Sequence, residues 1–181
     1  MSQDSSQSVK KIAILSTGGT IEKTYNPLSG VLNNEVSVLD LMLSQLSLRG
    51  VKLSRVQLMN KDSLEMRPKE HELIARAVEA CLEEHDGVVI THGTDTLEKT
   101  GEACLEHLNS PAGPIVLTGA MRPYELRSTD ALQNLTEALL AVQLLPPGVY
   151  VAMHNQVLSF PGVYKDREGL CFKRRAGQEA Q

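Results

Sequence analysis

The sequence contains no tryptophan, and aromatic residues make up only 3% of its 181 positions. Surfaces that stack nucleobases or sugar rings are built on aromatic faces, so that class of binding is disfavoured. No long basic run is present and the formal net charge is −4, so the electrostatic footprint of nucleic-acid binding is missing. The pair Arg174–Arg175 is too small to restore it. No apolar run is long enough to span a membrane, and the polar, serine-rich arm at 1–10 lacks the apolar core of a signal peptide. A cytoplasmic chain that engages neither nucleic acid nor membrane is expected. Cysteine is scarce too: Cys81, Cys104 and Cys171 lie far apart and at no metal-ligand spacing. They read as small buried side chains in a reducing compartment.

What is present points to one α/β domain. Apolar residues make up 41% of the chain, enough to build a core at this length. Short β-rich runs at Lys11–Ser16, Val51–Leu58, Gly87–Thr91, Pro114–Leu117 and Gly148–Met153 alternate with stretches of helical period. The latter are Val36–Leu46, Lys69–Glu84, Thr96–Leu108 and Thr129–Leu144. In Lys69–Glu84 the residues Leu73, Ile74, Ala77, Val78, Cys81 and Leu82 form one expected apolar stripe, and Pro68 suits the first helical position. Such alternation predicts a three-layer α/β/α fold, a doubly wound and mostly parallel sheet. The domain is expected over 11–168, after the arm at 1–10 and before a polar tail at 169–181. Beyond Met153 the alternation fades, leaving room for one short strand or a loop.

In open α/β sheets, sites gather where strands end and loops lead into helices. The loops after the first four strands begin at Thr17, Met59, His92 and Thr118, and are expected to converge. The first reads Ser16-Thr17-Gly18-Gly19-Thr20-Ile21-Glu22. Its paired glycines permit positive φ and close backbone approach, presenting Thr20 on a tight turn. The pattern is neither G-x-G-x-x-G nor G-x-x-x-x-G-K-[ST], so a phosphate cradle is disfavoured, while simple helix capping by the threonine stays open. The third loop reads Thr91-His92-Gly93-Thr94-Asp95-Thr96. A hydroxyl beside a carboxylate suits a small zwitterion, since the carboxylate pairs with an ammonium and the hydroxyl orients a water or nucleophile. Thr94, Asp95 and Thr96 are equally competent helix caps, so this loop alone leaves both readings standing. His92 reads as structural, bonding the loop. His71, His85 and His107 read as surface residues of helices, and His154 ends a strand. None forms a metal constellation.

Taken together, the two loops closely resemble the signature segments of the bacterial-type L-asparaginases. Asp62-Ser63-Leu64-Glu65-Met66, Leu117-Thr118-Gly119-Ala120-Met121-Arg122-Pro123 and Ser128-Thr129-Asp130 with Asn134 follow in the family's order. The resemblance runs from about Lys11 to about Lys165. It implies an amidohydrolase that converts L-asparagine to L-aspartate and ammonia through a threonyl acyl-enzyme, without metal or organic cofactor. By resemblance Thr20 is the nucleophile, Tyr25 the tyrosine of a closing loop, Thr94 the second essential threonine and Lys165 its lysine partner. Asp95 then holds the substrate ammonium and Ser63 its carboxylate, with Asp62 beside them. A lysine with an ordinary pKa of about 10.4 needs burial or a neighbouring cation to act as a base. Gly18, Gly19 or the turn around Thr94 are the expected oxyanion donors.

Two departures stand out. Family members carry a smaller C-terminal domain that lends an acidic residue to the neighbouring subunit's site, so a short single-domain member is expected. Asp62, Glu65 and Glu22 are the carboxylates open to replace that residue. Leu64 stands where the long enzymes have a glutamine, which removes a hydrogen bond of about 0.5–1.5 kcal/mol. Resemblance also implies a homodimer or homotetramer. An amidase acting on another small amide such as glutamine, or a domain that binds aspartate or asparagine without turnover, are the alternatives.

Overall fold

Alternation within the central strands dictates the architecture. In the computed structural model, which describes residues 9–33 and 38–175, β1 (Lys10–Gly18) carries Ile12 and Ile14 on one face and Ala13 and Leu15 on the other, all buried. β5 (Gly87–Thr91) and β6 (Pro114–Thr118) are buried along their whole length, as strands covered on both faces must be. With β4 (Val51–Lys61), β7 (Gly148–Met153) and β8 (Gln156–Ser159) they form a six-stranded sheet in the order β4-β1-β5-β6-β7-β8. Every pairing is parallel except β7 with β8.

Helices cover both faces. α2 (Pro68–Leu82) and α3 (Leu97–Leu108) pack Ile74, Val78, Leu97 and Cys104 against Ala13, Leu15, Val88 and Ile90. On the other face, α1 (Leu39–Ser44) and α4 (Ala131–Leu144) bring Leu39, Met42, Leu135 and Val142 onto Ile12, Ile14, Val89 and Val116. Each fully buried leucine or isoleucine in these layers stabilises the fold by roughly 1.5–3 kcal/mol. The three-layer α/β/α reading of the sequence therefore holds. One connection is unusual. The chain moves in the same direction along the sheet from β5 to β6 and from β6 to β7, yet α3 and α4 lie on opposite faces. The β6–α4–β7 crossover thus has the opposite hand to its neighbour, whereas parallel crossovers overwhelmingly share one hand.

Several expectations are corrected by packing. Of the expected stripe on α2, Ile74 and Val78 are buried and Ala77, Cys81 and Leu82 pack against the core, but Leu73 is 47% exposed and the buried face extends to His71 and Ala75 instead. Pro68 does open the helix, with Glu70 accepting from the backbone N–H of Arg67 at 2.9 Å. The first expected helix is shorter, at Leu39–Ser44, and 34–37 lie outside the described residues. After Met153 there are three strands rather than one: β8, then β9 (Val163–Asp166) and β10 (Cys171–Arg174), which pair antiparallel. β10 falls inside the expected polar tail. Its polar residues alternate with Phe172, which is buried with Phe160, Val163 and Val151, and a period-2 signal carried by one aromatic is easily read as a charged tail. Residues 1–8 of the expected arm and 176–181 of the tail lie outside the described residues.

Candidate active site

Four loops meet at the carboxyl edge of the sheet, and glycines make the meeting possible. β1 and β4 run in register to Ser16–Gln57, then shift so that Gly18 faces Lys61. Gly18 and Gly19 adopt φ of 97° and 81°, the left-handed region that side chains avoid. A β-carbon on Gly19 would drive into the backbone of His92 and Gly93, and one on Gly93 into Ser63. A β-carbon on Gly119 would strike the carbonyl of His92. Hydrogen bonds complete the junction: Gly19 N–H to the Lys61 carbonyl at 2.9 Å, His92 N–H to the Thr118 carbonyl at 2.9 Å, and the Thr17 hydroxyl to the Thr91 carbonyl at 2.9 Å. The Gly19 N–H is thus committed to Lys61 rather than turned to an oxyanion.

Thr20 opens a 3₁₀ turn, Thr20–Glu22, just past this junction. It shares the wall of a cavity of about 690 Å³ with Thr94, Asp95, Arg122, Asp130, His154 and Lys165. Lys165, on β9, is 11% exposed at its side chain and donates to the Thr94 hydroxyl at 2.7 Å and to Asp95 Oδ1 at 2.9 Å. Arg167 donates to the same Oδ1 at 3.0 Å. Four of the seven site residues read from the sequence, Thr20, Thr94, Asp95 and Lys165, therefore face one cavity.

The other three sit outside its wall. Ser63 is buried beneath Gly93, and its carbonyl accepts from the Thr96 hydroxyl at 2.9 Å. That bond answers the capping question for Thr96: it occupies the position before α3, but its hydroxyl ties the third loop to the second instead of capping the helix. Asp62 holds Lys23 at 2.7 Å and accepts from the Leu64 N–H at 3.0 Å. The Lys23 bond, working against burial, keeps its carboxyl below the usual range. Tyr25 lies on β2 (Thr24–Asn26), which pairs with β3 (Val31–Asn33), and is 55% exposed. Of the other carboxylates considered, Glu22 is buried and accepts from the Thr91 hydroxyl at 3.0 Å, while Glu65 is exposed.

At the opposite wall, the sequence marks Arg122, Asp130 and Asn134 only as parts of family motifs, with no role at the site, and His154 only as the end of a strand. His154 Nε2 lies 2.7 Å from Asp130 Oδ2, and Asp130 also accepts from the backbone N–H groups of Met121 and Arg122 at 2.9 Å each. Burial pushes this carboxyl up, but the Met121, His154 and Arg122 bonds outweigh it and leave it below the ordinary value. The fully buried Asn134 donates to Asp130 and to the Gly119 carbonyl at 2.9 Å, and receives the His154 N–H at 3.1 Å. The spacing of Asp130 and Asn134, one helical turn apart, was the available signal; the strand-to-turn placement of His154 was not. Nor did the sequence mark Arg167 as a second cation on Asp95.

His92 is structural, as expected: it is fully buried, with Nδ1 2.8 Å from the Gly93 carbonyl and Nε2 2.8 Å from the Thr100 hydroxyl. His71 corrects the surface assignment. It is 5% exposed and bonds the same Thr100 hydroxyl at 2.7 Å. His85 lies just past α2, bonding the Cys81 carbonyl, and His107 on α3 pairs with Glu79. The cysteines are free, and burial pushes the Cys104 thiol up to about 12, which makes it inert. Among the described residues no cluster suited to a metal occurs, and no helix is long and apolar enough to cross a membrane.

A conserved-sequence model described as "Asparaginase, N-terminal" matches residues 11–168. The chain belongs to the asparaginase family. It is 37% identical over 153 residues to the L-asparaginase of Thermococcus kodakarensis, covering 82% of this chain and 45% of that protein. It is 34% identical over 151 residues to a glutamyl-tRNA(Gln) amidotransferase subunit of Methanococcus vannielii, covering 82% of this chain and 35% of the relative. The solved structure of the thermostable L-asparaginase from T. kodakarensis superposes with a TM-score of 0.81 at 34% identity, over 91% of this chain and 51% of that one. The chain thus spans about half or less of the length of these relatives.

Proposed function

We propose that this protein hydrolyses the side-chain amide of L-asparagine to L-aspartate and ammonia, with Thr20 as the nucleophile. The observation that carries the reading is the Lys165 ammonium, 2.7 Å from the Thr94 hydroxyl and facing the same cavity as Thr20. A free threonine hydroxyl is a poor nucleophile and requires a partner to take its proton. In this reading Thr20 Oγ1 attacks the amide carbon, its proton passes to the leaving nitrogen, and ammonia departs from a threonyl ester. Water then attacks the ester, its proton passing to the Thr94 oxygen as Thr94 hands its own hydrogen to the departing Thr20 oxygen, which restores the Thr20 hydroxyl while the Lys165 ammonium steadies the charge on Thr94. Asp95 receives the substrate ammonium beside Lys165 and Arg167, and Ser63, with Asp62 beside it, takes the substrate carboxylate. Tyr25 assists Thr20 once the β2–β3 hairpin folds over the cavity. We place the protein in the cytoplasm as a homodimer or homotetramer.

Ammonia release from L-asparagine by wild type, Thr20→Ala and Thr94→Ala tests this. Turnover in wild type with a loss of at least about 10³-fold in each variant is expected, as for residues that act as a catalytic unit. Undiminished turnover in either variant sinks the assignment. The relative named as a glutamyl-tRNA(Gln) amidotransferase component favours a second reading, in which a longer, glutamine-type amide is the substrate. Turnover of glutamine in preference to asparagine selects it. Stabilisation by aspartate or asparagine without any ammonia release identifies a binding domain instead.

A further inference from the structure

A second cavity, of about 610 Å³, lies between α2, α3 and the turn at 161–163. Glu72, Glu98, Glu102 and Glu106 line it against two cations, Lys99 and Arg175, so carboxylates outnumber bases by four to two. Buried in its wall is His71, at the end of a polar chain that reaches the candidate active site: His71 Nδ1, Thr100 Oγ1, His92 Nε2, His92 Nδ1 and the Gly93 carbonyl.

Only one placement of protons satisfies this chain. The Gly93 carbonyl can only accept, so His92 Nδ1 carries a hydrogen. Burial pushes the His92 pKa down to about 4, so the ring is neutral and its Nε2 is an acceptor. The single hydroxyl hydrogen of Thr100 therefore goes to His92, and its oxygen accepts from His71 Nδ1–H. Burial, and then Lys99 against the opposing pull of Glu70, hold His71 below its ordinary value. Its Nε2 is left as a lone pair. That atom has no partner among the described residues, and neither does Glu98 Oε2, which belongs to the same cavity. Buried acceptors left without a partner are destabilising.

We propose that this cavity is a binding site for a small aliphatic diamine, whose ammonium groups donate to His71 Nε2 and to the Glu98 carboxylate. His71 Nε2 is an acceptor, so the ligand must bring a donor; burial pushes the Glu98 pKa up, and an arriving ammonium favours its ionised form, so a cation answers both orphaned atoms and the excess of carboxylates. The absence of a metal-type cluster among the described residues favours an organic cation. The volume far exceeds that of an ammonium ion, and Pro68, Ala103, Pro161 and Val163 provide an apolar surface for methylene groups. Glu102 is already held by the Gly162 N–H at 2.7 Å and acts as part of the frame. A donor arriving at His71 Nε2 polarises the chain through Thr100 to His92, and so acts on the loop that presents Thr94.

The test titrates 1,4-diaminobutane into the full-length chain by calorimetry, with nitrogen-15 NMR of the histidine rings. Saturable binding of one equivalent is expected, with a displaced His71 Nε2 resonance and a smaller displacement at His92. Butanedioate, the dicarboxylate of matching length, should not bind. Glu98→Gln should weaken the diamine roughly tenfold or more, the scale of a lost charge-assisted bond. His71→Gln serves as a second variant with the same expected direction. Absence of saturable binding, binding of butanedioate in its place, or diamine binding that leaves the His71 resonance or both variants' affinity unchanged overturns the proposal. None of these readouts depends on ammonia release, so failure here is distinct from failure of the proposed hydrolysis.

Discussion

Replacing Lys165 by methionine removes one charge and keeps most of the side-chain volume, so it isolates the role of the ammonium. In the structure this ammonium makes two bonds, at 2.7 Å to Thr94 and at 2.9 Å to Asp95. The first bears on turnover. A positioned proton-transfer partner is worth about 10²–10⁴-fold, or roughly 3–5.5 kcal/mol of barrier. The second bears on stability. Stranding a buried carboxylate costs about 3–5 kcal/mol, but Arg167 still reaches Asp95 at 3.0 Å and is itself 67% exposed at its side chain. The loss in stability should therefore be closer to about 1 kcal/mol, a fall of roughly 2–4 °C in Tm for a chain of this size. Ammonia release at saturating asparagine and a thermal melt, run side by side, read the two effects separately. Lys165→Met turning over within about threefold of wild type, with its melt unchanged, refutes the Thr94–Lys165 pair as the proton path.

Three further outcomes follow from the packing. Gly19→Ala should destabilise the fold by at least about 1–3 kcal/mol in chemical denaturation and abolish turnover, because its φ of 81° and the Gly93 backbone leave no room for a methyl group. Phe172→Ala should cost about 3–5 kcal/mol in the same assay if β10 belongs to the core, and almost nothing if residues beyond 168 are a passive tail. For His92, the folded pKa of about 4 lies below the ordinary 6.5, so the unfolded chain binds more protons between those values. Its contribution is complete above about pH 6.5 and is lost as pH falls to about 4, by roughly 2–4 kcal/mol. His92→Gln should flatten that part of the stability–pH profile, and an unaltered slope refutes the burial argument.

The central fold was legible because its signals are periodic and local. β5 and β7 begin and end where the β-rich runs do, and α2, α3 and α4 differ from the expected helices by one or two residues at an end. Thr20, Thr94 and Asp95 were legible as strand-end residues, and Lys165 through family resemblance. What could not be read is what depends on contacts distant in sequence. His71 falls on the face of its helix that carries Ile74, Ala75 and Val78, but a polar ring there reads as exposed until Thr100, 29 residues away, and the stacked ring of His92 supply its buried partners. Likewise His154 is drawn to Asp130 across 24 residues by a turn that follows β7. The hand of the β6–α4–β7 crossover depends on which face α4 buries, and a helix with apolar residues on its inward side packs equally well on either layer.

The glycine junction has a consequence for how such a site can diversify. Gly19 and Gly119 set their loops against the backbone of the His92–Gly93 turn, and Gly93 in turn leaves room only for the small Ser63 side chain. Side-chain variation at these positions has no way to retune the spacing, and a loop transplanted alone would carry its own backbone path into a neighbour shaped for another. Room for change lies instead at the rim of the cavity, where an exposed side chain such as Leu170 can alter size and charge around a rigid hub.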